Sequence, residues 1–82
     1  MIQSKDIVTY DILPLAPIDR LLRKAGAERV SESASQALEA IFEDIGLKLG
    51  AQAVKLSKHA GRKTLTGEDI KLAYHALRFG EF

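Results

Sequence analysis

Apolar residues recur at Ala34, Leu38, Ile41, Phe42, Ile45, Leu49, Ala53, Leu56 and Ala60, in steps of three and four, and the pattern stops at Gly61. That spacing is one face of an α-helix. Ser31 or Ser33 supplies an N-cap, with Gln36 three residues after Ser33 to complete a capping box. The pattern predicts a single helix over about residues 32–60, on the order of 44 Å long at 1.5 Å per residue. An apolar stripe of that length must be covered, and a chain of 82 residues has little else to cover it with. Gly46 and Gly50 lie inside the helix, where each costs up to about 1 kcal/mol relative to alanine. A closely packed neighbour at the two glycines is therefore expected.

The flanking segments predict two shorter helices. Pro17 suits a first helical turn, "PIDRLLRKAG" carries Ile18, Leu21, Leu22 and Ala25, and Gly26 is a left-handed stop, which gives a helix over about 17–25. Thr66 followed by Asp69 is a capping pattern, and Glu68 and Asp69 place negative charge at the positive end of the helix dipole. With Ile70, Leu72, Ala73, Ala76 and Leu77 on its apolar side, the third helix is expected over about 67–79. The order is short, long, short. The two flanking helices, attached at opposite ends, cannot cover the whole stripe, so a second chain across the middle of the long helix is expected.

The first dozen residues differ. In "IVTYDI" Val8, Tyr10 and Ile12 alternate with Thr9 and Asp11, a pattern that favours a strand. The other reading is a tail resting its apolar residues on the helices.

Composition narrows the function. Hydrophobic residues are 46% and charged residues 28% of the chain, as in ordinary folded proteins. Cysteine is absent and there are two histidines, so no disulfide, thiolate site or zinc site is expected. No apolar run approaches the roughly 18–20 residues of a membrane span, and the N-terminus lacks a basic start followed by an apolar block. A cytoplasmic protein with no membrane segment is expected. The net charge is only +1, but it is segregated. Arg20, Arg23, Lys24 and Arg29 precede a stretch without cations that holds Glu32, Glu39, Glu43 and Asp44; Lys55, Lys58, Arg62, Lys63 and Lys71 follow it. The acidic stretch reads as the solvated outer face of the long helix, with Glu39 and Glu43 mildly repelling each other. No nucleophile and base pattern and no glycine-rich phosphate loop is present, so no catalysis, cofactor or small-molecule substrate is expected. His59 reads as a helix-end or interface residue and His75 as an exposed one.

Two basic turns remain, "GAERV" at 26–30 and "GRKTL" at 61–65. If two long helices cross antiparallel at their midpoints, the first turn of one chain meets the second turn of the other. Each end of such a dimer then gathers Arg29, Arg62, Lys63 and Thr64, a set suited to phosphate oxygens.

"LPLAPIDRLLRKAGAERVS", "AVKLSKHAGRKTLTGEDIKLA" and the short–long–short plan resemble the archaeal histones. The resemblance runs from residue 13 to about 77 and leaves out the N-terminal twelve. It implies an all-α histone fold over 13–82, paired as a handshake homodimer that assembles into tetramers or larger arrays, with residues 1–12 as an extension. It also implies an architectural chromatin protein of the nucleoid that binds double-stranded DNA through its backbone and bends, wraps or compacts it. By position, Arg20, Arg29, Lys63 and Thr64 become DNA contacts, Arg20 in the minor groove, with Lys24 and Lys55 as secondary ones. Arg62 and Asp69 match a structural ion pair, so that Arg62 is scaffold as well as DNA contact. Leu56, His59, Asp69 and Leu72 fall at a dimer–dimer contact, and Gly26 at a position where small residues permit stacking of dimers.

Three features depart from the pattern. Asp19 beside Arg20 should repel phosphate, the low net charge makes affinity depend strongly on salt, and the apolar ending "YHALRFGEF" offers Phe79 and Phe82 for an extra contact. The rival function is a histone-fold member of a multiprotein complex in which DNA binding is secondary.

Overall fold

The computed structural model describes residues 10–78, and its helices are α1 (Leu15–Lys24), α2 (Glu32–His59) and α3 (Gly67–Arg78). Helix order and lengths are as the periodicity predicts. Phe79, the expected last residue of α3, and Phe82 lie outside the described residues. Two compact units divide the chain within α2, residues 1–45 and 46–82.

In the first unit, α1 begins two residues before Pro17, which keeps that proline in the first turn, where its missing N–H costs nothing. The helix ends as Gly26 predicts: with φ at 121° it lets its own N–H reach the Arg23 carbonyl at 3.0 Å and the Ala27 N–H reach Leu22 at 3.1 Å. At the start of α2, Ser31 is the cap, its Oγ accepting the Ala34 N–H at 3.1 Å. The box expected of Ser33 and Gln36 does not form; Gln36 donates to Glu32 one turn back, at 3.2 Å.

The acidic stretch corrects the sequence reading. Glu39 and Glu43 are 3% and 4% exposed, and with Ser35 they form a buried polar row along α2. Their carboxylates accept main-chain N–H groups from the segment before α1. Tyr10 and Ile12 donate to the two oxygens of Glu43 at 2.6 and 2.7 Å, and Leu13 donates to Glu39 at 3.3 Å. Periodicity puts polar residues outside by default, and here main-chain donors reverse that. Asp11, with φ at 53°, is in the left-handed region between the first two donors, a conformation that aspartate tolerates better than most residues. Of the strand-like stretch 7–12, residues 7–9 lie outside the described residues, and Tyr10–Ile12 form no strand.

Energetically this segment is close to balance. A hydrogen bond to a charged group contributes about 1.5–3 kcal/mol, whereas ordering the backbone costs about 1–2 kcal/mol per residue. Three such bonds over four residues nearly cancel. Apolar burial adds little, since Tyr10 and Ile12 are 57% and 64% exposed.

In the second unit, α2 ends on Gly61 (φ 76°), with the Gly61 N–H bonded to Lys58 at 2.9 Å and the Arg62 N–H to Ser57 at 3.0 Å. Replacing Gly61 by alanine forces a Cβ into that conformation, and a urea titration should show a loss of about 1 kcal/mol. The predicted capping box of α3 is present: the Thr66 N–H donates to Asp69 at 2.9 Å, and the Asp69 N–H to the Thr66 hydroxyl at 3.4 Å. At Gly46 and Gly50, an added Cβ would meet nothing within 4 Å, so the close neighbour expected there is not supplied by the described residues.

Among the described residues the buried apolar set is Ile18, Ala53 and Ala73, and no large side chain is fully buried. Ile45, Leu47, Leu65 and Leu72 are between 43% and 56% exposed.

Candidate nucleic-acid interface

The predicted phosphate contacts fall in both units. In the first, Arg20 and Lys24 are exposed on α1 and Arg29 is exposed in the turn that follows. Asp19, expected to repel phosphate beside Arg20, is an ion-pair partner of Arg23, whose Nε donates to its carboxylate at 2.8 Å. Arg23 also donates to the Glu28 carbonyl at 3.2 Å, which braces the turn bearing Arg29. Spacing of four on a helix is a readable signal for this pair.

In the second unit the turn 61–65 is a small framework of hydrogen bonds. Arg62 donates from both terminal nitrogens to Asp69, at 2.9 Å to Oδ2 and 2.7 Å to Oδ1, a bidentate pair. The same Arg62 donates to the Thr64 carbonyl at 3.1 Å. Asp69, its side chain 5% exposed, also accepts the Thr66 N–H and hydroxyl at 2.9 and 3.0 Å. The buried Ser57 hydroxyl lies between the carbonyls of Arg62 (3.3 Å) and Thr64 (3.0 Å).

The electrostatics follow from that geometry. The Arg62 guanidinium, then the Thr66 N–H, hold the Asp69 carboxyl well below the usual carboxylate range, against the opposing effect of burial. Asp69 in turn raises Arg62. Asp69 also adds negative charge at the N-terminus of α3, where it is stabilised. Arg62 is thus committed to the protein, while Lys63 and Thr64 are exposed on the turn it braces and Lys55 is exposed on α2. Lys63 shares the rim of a shallow cavity of about 220 Å³ with Lys58 and Arg62, over Val54, Ser57 and Leu65.

The residues expected at a dimer–dimer contact lie in the second unit. His59 is exposed in the last turn of α2, Leu56 is half-buried, and Leu72 is 56% exposed on α3, whereas Asp69 is the buried hub of the turn. Gly26 is exposed, with open space where a Cβ would stand. The bracing role of Ser57 escapes a sequence reading. Its one trace is its place four residues after Ala53, on the buried side of α2.

Among the described residues, no group of three or more His, Cys, Asp or Glu is placed to hold a metal ion. None of their helices is long and apolar enough to cross a membrane.

A short, a long and a short helix, joined by two braced basic turns, make an all-α chain of the histone-fold class. The chain belongs to the histone-like transcription factor (CBF/NF-Y) and archaeal histone family, whose sequence profile matches residues 12–74. It is 55% identical over 64 residues to one of the subunits of the archaeal histone HAN1 of Thermococcus zilligii, covering 78% of this chain and 96% of that one. It is 49% identical over 61 residues to the "probable archaeal histone 3" of Methanocaldococcus jannaschii, covering 74% and 91%.

Proposed function

We propose that the protein is an architectural DNA-binding protein of the archaeal chromosome. It acts as a homodimer that grips the phosphate backbone of double-stranded DNA and bends, wraps or compacts it, with no catalytic step. The observation that carries this reading is the pairing of an exposed Lys63 and Thr64 with a turn whose carbonyls and guanidinium are already bound within the protein. A rigid frame offering a cation and a hydroxyl suits phosphate, since contacts of this kind fix position without reading sequence. Family membership supports it, since both relatives carry the name histone.

The dimer follows from the scarcity of core. With three buried apolar residues among those described, two of them alanines, and no large side chain fully buried, the single chain lacks the burial needed to offset its ordering. A second copy crossing at the middle of α2 covers the exposed stripe, and Gly46 and Gly50 let the two helices approach. In that arrangement Arg29 joins the partner subunit's Lys63 and the partner subunit's Thr64. Arg20 reaches the minor groove, where negative potential concentrates, and Lys24, Lys55 and Arg62 add to the basic surface. Further association into tetramers or arrays uses Leu56, His59, Asp69 and Leu72, with Gly26 allowing close stacking.

Titrating duplexes of unrelated sequence with the purified protein across a salt series tests the proposal. Wild type should bind them alike. Replacing Lys63 by alanine should weaken binding equally on all of them and lower the salt slope by about one. An effect confined to one sequence, or a slope unchanged by Lys63→Ala and Arg29→Ala together, would remove the backbone mechanism. A folded homodimer with no affinity for duplex would favour membership of a multiprotein complex instead.

A further inference from the structure

The hydrogen bonds from Tyr10, Ile12 and Leu13 to α2 start at main-chain N–H groups and end on the carboxylates of Glu39 and Glu43. In these three bonds side-chain identity enters at Asp11, whose left-handed backbone turns the N–H groups on either side of it toward one acceptor. The two acceptors are one helical turn apart, where like charges repel, and the incoming N–H donors offset that repulsion. Tyr10 and Ile12 keep more than half of their surface in solvent, so the attachment depends on these polar contacts.

We propose that Glu39 and Glu43 form a docking site for main-chain amides that latches the chain's N-terminal segment onto the first unit. The latch recognises backbone form rather than sequence, and it opens without disturbing the helices beneath it. Glu43 holds the two short bonds and is the principal residue; Glu39 secures the entry to α1 at Leu13.

Amide hydrogen exchange on the full chain, read residue by residue by NMR, tests the latch, with amides in the middle of α1 and α2 as internal reference. Replacing Glu43 by glutamine keeps the shape but turns one acceptor into an N–H₂ that opposes an incoming donor. Exchange at Tyr10 and Ile12 should rise about tenfold or more while the helical amides hold their rates. Glu39→Gln should act at Leu13 alone. Asp11→Val approaches from the other side, without touching α2. A β-branched residue resists the left-handed conformation, so Tyr10 and Ile12 should again exchange faster, whereas Asp11→Gly should keep them protected. Unchanged protection in both Glu43→Gln and Asp11→Val overturns the proposal. So does equal acceleration of the α1 and α2 amides, which would make the segment an inseparable part of the unit.

Discussion

Replacing Leu49 by aspartate should leave the chain both unfolded and monomeric. Leu49 lies on the apolar stripe of α2, close to Gly46 and Gly50, and is half-buried in the single chain. In the proposed dimer it sits where the two long helices cross. A carboxylate there loses its hydration with no partner to replace it, a penalty of several kcal/mol. The total stability of a small domain is only about 5–15 kcal/mol. Since the single chain holds so little apolar core, no folded monomer is left to retreat to, and folding and association form one equilibrium. Circular dichroism and light scattering should therefore lose helix and dimer mass together, and the melting temperature of the wild type should rise with protein concentration. A variant that is monomeric yet helical and melts cooperatively would refute the interlocked dimer.

Removing Asp69 should have the second largest effect. Asp69→Ala takes away the acceptor of both Arg62 contacts and of both Thr66 donors. Arg62 then loses its brace, α3 loses its cap, and the melting temperature should fall by about 10 °C or more. The pH dependence separates the charge from the packing. Asp69 is held below the ordinary carboxylate range in the folded state, so its contribution is complete above the unfolded value, near 4, and drains away as pH falls toward the folded one. Asp69→Asn should flatten that part of the acid profile while keeping most of the volume. An acid profile that overlays the wild type would mean that other carboxylates carry the effect.

The helices are legible in the sequence because their signals are local. Steps of three and four, Gly26, Gly61 and the Thr66–Asp69 box each determine a feature within a turn or two. The choice between Ser31 and Ser33 is finer than such signals resolve, because both hydroxyls precede the same apolar run. The Arg62–Asp69 pair is legible only through the resemblance to a family: the two residues lie on either side of a turn, and no helical spacing joins them. Glu39 and Glu43 read wrongly as a solvated face because their partners are N–H groups of residues some thirty positions earlier. Every residue but proline carries such a group, so no letter of the sequence announces it.

The span of these contacts sets an order of events. The hydrogen bonds described around Lys63 link residues no more than seven positions apart, and closing a loop of about ten residues takes about 10–100 ns. The bonds of the N-terminal latch span 33, 31 and 26 positions and need α2 already formed. The turn that carries Lys63 thus draws on its own neighbourhood, whereas the surface proposed for DNA is complete only once a second chain supplies its half. The segment that leads the protein out of its N-terminus is among the last pieces to settle.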